Sequence, residues 1–377
     1  MNTTTVVDLN SLIENAQGLS PIPAEAVFAY EDRKDLLIEQ VDQAMKNRPD
    51  IAALLGYSPQ SVMFDNHRNH FHFMLNVFKL NHFELLARTV PWVYRSYHAH
   101  GFSYDYFPAT LEAWIKALGR HLDPAAARVI VPVYRWMVDH HQQMISLSKD
   151  PAILPPLPDP VWQKVKEVFL SALLRGEHRS CLRLAEERVK AATDLPDFYL
   201  QVIQPSLYEI GRLWEEGEIS VAQEHLASAM VSRVMAALSP RFTPLEYSKG
   251  RAVVTSAPNE FHAIGGWMVS DLLEMDGWQV QFLGPNTPER ELVTLLKEFL
   301  PHLLSLSIIM PFNLDRARGV IQEIKKDPGL QEIRIMVGGL VFQNAPSLWK
   351  QLGADGFAAD ARAAATLAQQ WWRELQR

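Results

Sequence analysis

Past the middle of the chain, Asn259-Glu260-Phe261-His262-Ala263-Ile264-Gly265 places a carboxylate and an imidazole two residues apart, ahead of a glycine. A loop imidazole can present one ring nitrogen to a bound group while the other donates its N–H to a carboxylate. Glu260 in that role would hold His262 in one tautomer and raise its basicity as a ligand. Gly265 opens the next element and permits close approach of a bulky group. After 41 intervening residues comes Ser307-Ile308-Ile309, and 28 residues later the pair Gly338-Gly339. A small hydroxyl and two positions without side chains leave a slot into which a long group could descend. Alone, a loop histidine is more often a surface or capping residue, and only a fold that brings the three features to one edge favours a ligand.

Two further constellations carry chemistry. Trp214, Val221, Glu224 and His225 follow the spacing Trp-x6-Val-x2-Glu-His. The plain reading is a helix, a break at Gly217 and a second helix capped near Ser220, with Trp214 filling the core. Earlier in the chain, nine of the thirteen histidines lie between residues 67 and 141, and fifteen of the 37 aromatic residues between Phe64 and Trp136. On helices, His67 and His70 share one face with nearby Phe71 and Phe73, and Tyr94, Tyr97 and His98 do so on the next. That density suits a pocket for a flat ligand, with aromatic stacking and histidine as hydrogen-bond partner or axial ligand. The competing reading is an aromatic core with surface histidines. No tight His/Asp/Glu quartet suggests zinc.

The elements that must position these residues follow from periodicity. Residues 150–160 contain five prolines in eleven positions and cannot form helix or central strand; a second proline-rich stretch follows Ser239 and runs to Gly250. Three regions result: 1–150, 161–240 and 250–377. The first shows apolar residues at three- and four-residue intervals over 31–47, 60–78, 80–99, 108–120 and 125–147. The second does so over 161–175, 178–192, 197–216 and 219–237, as in a four-helix bundle. The third alternates short apolar runs at 251–257, 278–284, 303–309, 333–339 and 356–359 with helical stretches. This is the pattern of a flavodoxin-like, doubly wound parallel sheet. The expected fold class is therefore multi-domain, α plus α/β. Ligands of such sheets bind at the carboxyl ends of the strands, which is where His262, Ser307 and Gly338 would fall.

Composition narrows the function classes. A net charge of −7 and pI near 6.0, without a basic arm, argue against direct DNA binding. The first thirty residues show no secretory signal pattern and no apolar run approaches the ~20 residues needed to span a bilayer, so a cytoplasmic protein without membrane contact is expected. The single cysteine, Cys181, excludes an internal disulfide and a multi-thiolate metal site.

Asp-x-His-x-x-Gly, Ser-x-Leu and Gly-Gly at this spacing form the signature of the cobalamin-binding fold of methionine synthase and corrinoid proteins, which residues 250–377 resemble, with Glu260 and Ile309 replacing the aspartate and leucine. The resemblance implies that His262 is the lower axial ligand of cobalt and that the nucleotide tail of the cofactor threads past Ser307, Gly338 and Gly339. The spacing from Trp214 to His225 resembles the cap of CarH-type light-dependent cobalamin photoreceptors. There these residues surround a 5′-deoxyadenosyl group: Trp214 would be an apolar wall, Val221 a lining residue, Glu224 a hydrogen-bond partner, and His225 a support. Adenosylcobalamin is the implied cofactor. The family commonly carries a histidine after the tryptophan; Glu215 stands here, which puts bis-histidine capture of cobalt after photolysis in doubt. A globin-like helical domain joined to such a module resembles the photocobilins. That resemblance implies a bilin such as biliverdin, held without a thioether near His67, His70, Tyr94, Tyr97 and His98, with haem as the other candidate.

The leading expectation is thus a sensory protein rather than an enzyme: light breaks the Co–C bond and changes domain contacts, with output through a protein partner or self-association. The alternative is a corrinoid shuttle of a methyltransferase system, which the bundle-plus-sheet pair fits equally well.

Overall fold

The structure, a computed structural model, describes residues 8–150, 159–345 and 347–377. The chain divides into two compact units: residues up to Ile153 with Glu215–Glu218, and Leu154–Trp214 with Ile219–Arg377.

The first unit is all helical: α1 (Leu9–Gln17), α2 (Ala24–Asp32), α3 (Lys34–Lys46), α4 (Ile51–Leu55), α5 (Gln60–Leu80), α6 (Phe83–Ala99), α7 (Tyr106–His121), α8 (Pro124–Asp139) and α9 (His141–Ser148). On α5, Met63, His67, Phe71, Met74 and Phe78 recur at three- and four-residue intervals and are all buried. That stripe explains why α5 holds together for 21 residues. Asn81, in the left-handed conformation (φ 48°), ends it, and its side-chain oxygen accepts the Ile22 N–H at 2.6 Å. α8 starts with Asp123 as N-cap and Pro124 in the first turn. The single helix expected over 125–147 is two, parted at His140, whose Nδ1 lies 2.8 Å from the Trp136 carbonyl oxygen and so competes for the helix's own acceptor.

The second unit opens with a helical bundle: α10 (Pro160–Leu174), α11 (His178–Arg188), α12 (Asp194–Phe198), a π-helical turn (Tyr199–Ile203), α13 (Gln204–Glu215) and α14 (Val221–Leu238). The helix expected over 197–216 is widened by that turn, next to Pro205, which has no N–H to give the carbonyl four residues back. α11 ends at Arg188, short of the expected 192, because the Asp194 carboxylate accepts the N–H groups of Lys190 and Ala191. Ser220 is the N-cap of α14 and forms a capping box with Gln223. The proline-rich stretch proposed as the first boundary lies mostly outside the described residues.

The sheet domain alternates β1 (Arg251–Ser256), α15 (Ile264–Met275), β2 (Gln279–Gly284), α16 (Glu289–Phe299), β3 (Leu303–Ser307), α17 (Leu314–Lys326), β4 (Arg334–Gly338), α18 (Leu340–Asn344), α19 (Leu348–Leu352), β5 (Gly356–Ala358) and α20 (Ala361–Leu375). All strand pairs are parallel and the order is β2-β1-β3-β4-β5. This is the flavodoxin-like order, in which the winding reverses between β1 and β3 and opens a crevice at their carboxyl ends. α15 packs with α20, and α16 and α19 pack against α17. One apolar core joins Val165, Phe169, Phe198 and Val231 of the bundle to Met268 and Leu272 of α15 and Ala361 of α20, while Leu273 and Val254 belong to the core under the sheet. α15 therefore carries the bundle on one side and the sheet on the other.

Candidate functional site

β1 ends at Ser256, and residues 257–263 cross the carboxyl edge of the sheet before α15 begins. Two asparagines shape the crossing: Asn259 (φ 67°) and Asn286 (φ 54°) take left-handed conformations that asparagine tolerates better than most residues. The Asn259 N–H donates to the Asn286 side chain at 2.8 Å, and the Asn286 N–H to the Glu260 carbonyl at 2.9 Å.

Glu260 is fully buried at the winding reversal. Its Oε1 lies 2.5 Å from His262 Nδ1 and also accepts the His262 N–H at 3.3 Å. Its Oε2 accepts the N–H groups of Ile309 (2.9 Å) and Met310 (2.8 Å), just past β3, and Asn313 Nδ2 at 3.2 Å. One carboxylate thus bridges the loops after β1 and β3. Burial alone would raise its pKa. The hydrogen bond and charge of His262, with the two N–H donors, outweigh burial and hold it below the usual carboxylate range. The same hydrogen bond raises the pKa of His262 against the opposing effect of burial, helped by the charge of Glu260 and, less, of Glu224.

With Nδ1 turned to Glu260, Nε2 is the nitrogen available to an incoming group, on a side chain that is 59% exposed. Ser256 Oγ donates to the His262 carbonyl at 3.0 Å and pins the loop. Ser256, Ser307, Gly338 and Ala358 pair in one row across β1, β3, β4 and β5, so the fold brings His262, Ser307 and Gly338 to the same edge. A Cβ on Gly265 would meet nothing within 4 Å, which leaves open space at the start of α15; one on Gly338 would stand 3.0 Å from the Ala358 carbonyl oxygen. Gly339 has φ 113°, and a Cβ there would collide with the Ile308 backbone, so glycine is required at this position by the chain itself. Asn313, Asn259 and Asn286 were not singled out from the sequence. Their signal was there: polar asparagines just beyond strand ends in a parallel sheet.

In the bundle, Trp214 lies near the end of α13, and Val221, Glu224 and His225 in the first turns of α14. Trp214 is half-buried and Val221 is 49% exposed. Glu224 Oε2 lies 2.6 Å from His225 Nδ1, and its Oε1 accepts the Ser228 hydroxyl at 2.8 Å. The His225 side chain is 74% exposed. The influence of Glu224 on His262 puts the first turn of α14 within electrostatic range of the histidine loop.

In the first unit each residue expected around a flat ligand packs against other side chains of that unit. His67 is buried, with Nδ1 2.6 Å from Asp42 and Nε2 3.1 Å from the Tyr106 hydroxyl. His70 sits 5.3 Å from the Trp114 ring, and burial with His67 nearby lowers its pKa to about 3, so it is neutral. Tyr94 stacks on Phe107 at 3.6 Å and its hydroxyl lies 3.0 Å from His141 Nδ1; Tyr97 packs against Phe102 and Phe107; His98 stacks on Tyr104 at 3.9 Å. Among the described residues no helix is long and apolar enough to cross a membrane.

Two protein-family models match, both described as a B12 binding domain: one over residues 165–239, the bundle, and one over 250–367, the sheet domain. The chain is 27% identical over 190 residues to dimethylamine corrinoid protein 1 of Methanosarcina acetivorans, covering 49% of this chain and 87% of that one. It is 24% identical over 212 residues to the protein of that name from Methanosarcina mazei (55% and 94%), and 23% identical over 159 residues to trimethylamine corrinoid protein 1 of M. acetivorans (41% and 74%). The monomethylamine corrinoid protein of Methanosarcina barkeri shares the fold, with a TM-score of 0.50 at 21% identity over 55% of this chain and 98% of that one. Residues 165–367 thus hold cobalamin-binding domains with a helical cap. The relatives are corrinoid proteins named for methylamines, and this overturns the light-receptor expectation in favour of its alternative, the corrinoid shuttle. The light-receptor expectation came from the short spacing between Trp214 and His225, whose residue types are compatible with more than one kind of cobalamin protein.

Proposed function

We propose that the chain is a corrinoid carrier that takes a methyl group from one methyltransferase partner and presents it to another. The observation that carries this reading is the buried Glu260 paired with His262 at the winding reversal, in a domain matched as B12-binding and in a chain similar to methylamine corrinoid proteins. When bound, cobalamin would supply the cobalt centre that accepts and releases the methyl group.

The chain's own residues fit that group. His262, with its Nδ1 held by Glu260, would offer the Nε2 lone pair to the cobalt. Glu260, held in its charged form by the N–H groups of Ile309 and Met310, would strengthen the imidazole as a donor and keep its orientation. Ser307 and Gly338 would border the nucleotide tail, and the open space beside Gly265 would receive the edge of the macrocycle. From the bundle, Trp214 and Val221 would wall the upper face, with Glu224 and His225 at its rim. A carrier needs a small alkyl group there, so methyl is preferred over adenosyl as the upper ligand.

The test is methylation of the reconstituted, reduced protein by mono-, di- and trimethylamine with a matching methyltransferase, followed by visible absorption. Conversion to the methylated spectrum is expected, and it should be lost without the partner. A holoprotein that no methylamine system methylates would overturn the carrier reading. Independently, His262→Ala should convert the lower-face signature to that of a protein without an imidazole ligand; an unaltered spectrum removes His262 from that role.

A further inference from the structure

Glu260 and Asp271 are the two acids buried among the described residues. Glu260 faces His262. Asp271, 3% exposed on α15, accepts the Tyr199 hydroxyl at Oδ2 (2.5 Å) and the Ser239 hydroxyl at Oδ1 (2.9 Å), and the Trp267 indole and Glu274 carboxyl also act on it. None of these groups is a cation. A buried carboxylate without a counter-charge is costly, and hydroxyl donors repay only part of the desolvation. Apolar packing alone would have sufficed to hold two layers together, so a carboxyl at this seam calls for a role.

Its placement suggests one. Tyr199 begins the π-helical turn of the bundle, and π turns inserted in α-helices occur often at functional sites. Ser239 lies in the 3₁₀ turn (Ser239–Arg241) that closes α14, the helix whose first turn carries Val221, Glu224 and His225. Asp271 therefore takes hold of the bundle at two of its elements. It does so between Met268 and Leu272, which belong to the bundle's core. The same helix starts two residues after His262. One rigid element thus carries the histidine loop at its N-terminus and the bundle's polar anchor two turns along.

We infer that Asp271, with Tyr199 and Ser239, is the clasp that seats the helical bundle on α15 and so sets how closely the bundle covers the upper face of the group bound at His262. It is a positioning residue that touches neither cofactor nor substrate, and the inference rests on the cobalamin reading above. Losing the clasp leaves the apolar seam in place but lets the bundle lift more often, which exposes the cobalt from above without changing its ligand below.

The full-length protein is reconstituted with hydroxocobalamin, and cyanide binding at the cobalt is followed by visible absorption. Tyr199→Phe, which deletes one hydroxyl and keeps the ring, should speed cyanide binding about tenfold, and Asp271→Ala more. Asp271→Asn keeps an acceptor oxygen for one hydroxyl and offers an amide N–H to the oxygen of the other, and should restore most of the wild-type rate. The spectral signature of the lower ligand should stay the same in all three. Ile324→Val, buried on α17, should leave the rate unchanged and serves as the control for general loosening. A Tyr199→Phe rate within twofold of wild type overturns the clasp, and that variant decides the matter if Asp271→Ala does not fold. If the wild-type chain binds no cobalamin, the cobalamin reading fails instead. Amide exchange of the chain as purified then tests the clasp alone: Tyr199→Phe should speed exchange in α10, α11 and α14 relative to α17, and equal exchange overturns it.

Discussion

A single carboxylate accepting five donors organises the candidate site. Two of those donors come from His262, two from the backbone after β3 and one from Asn313. Glu260→Gln would keep an acceptor for the backbone but lose the negative charge and turn an amide N–H toward one of the donors. Partners of this kind, one step behind a metal ligand, are worth about 10–100-fold in affinity. The expected loss of cobalamin affinity in Glu260→Gln is therefore about 10–100-fold by equilibrium titration, and wild-type affinity would show that Glu260 does not support the ligand. Gly339 makes the opposite kind of prediction. Its φ of 113° and its closeness to the Ile308 backbone leave no place for a side chain. Gly339→Ala should cost about 3 kcal/mol of stability, a strained-backbone effect, by urea unfolding. Gly265→Ala, at a position with open space, should cost little stability and act on cobalamin binding instead.

Among the elements, α15 is the joint of the second unit, and its Asp271 makes folding stability depend on pH. Burial lifts this carboxyl from the ordinary 3.8 to about 6, against the hydroxyls of Tyr199 and Ser239, which lower it. Between these two values the folded chain holds the proton that the unfolded chain has released. Stability therefore falls as pH rises through that window, is free of the penalty below pH 4, and carries all of it above pH 6. A lift of that size corresponds to about 3 kcal/mol. Urea unfolding at pH 4 and pH 7 should show this slope in the wild type, relative to Asp271→Asn, which cannot ionise. Equal slopes in the two proteins would mean that Asp271 does not titrate in this range.

At the scale of the whole molecule, the chain divides into a unit that is helical over its described residues and a bundle-and-sheet unit, and the family matches begin at residue 165. Each unit has its own buried core: Phe71, Trp114 and Tyr134 belong to the first, Phe169, Val231 and Leu304 to the second. Calorimetry of the full chain should therefore resolve two transitions. Cobalamin at about 100 times its Kd should stabilise only the second unit, by about 2.7 kcal/mol. A single transition raised as a whole by cobalamin would show that the units unfold together.

What the sequence determined by itself was local or periodic. The alternation of short apolar runs with helical stretches marked all five strands of the sheet to within a residue or two, because β1, β3 and β4 are largely buried and leave little room for polar residues, while the half-buried edge strand β2 admits Gln279 and Gln281. The spacing from Glu260 to Gly338 located the histidine edge, because in a parallel sheet every strand delivers its carboxyl end to the same side. The light-receptor reading came from the short motif at Trp214 to His225, where residue types are compatible with more than one upper ligand. Only the tertiary structure decided the rest, since it depends on contacts between residues far apart in the chain. Asn313 reaches Glu260 across 53 positions and Tyr199 reaches Asp271 across 72. It also decided that the histidines and aromatics of the first unit, dense enough in sequence to suggest a ligand pocket, meet one another: Asp42, His67 and Tyr106 form one chain, and Tyr94 lies on Phe107. Ring counts along a sequence carry no information on which rings will face each other once the helices have packed.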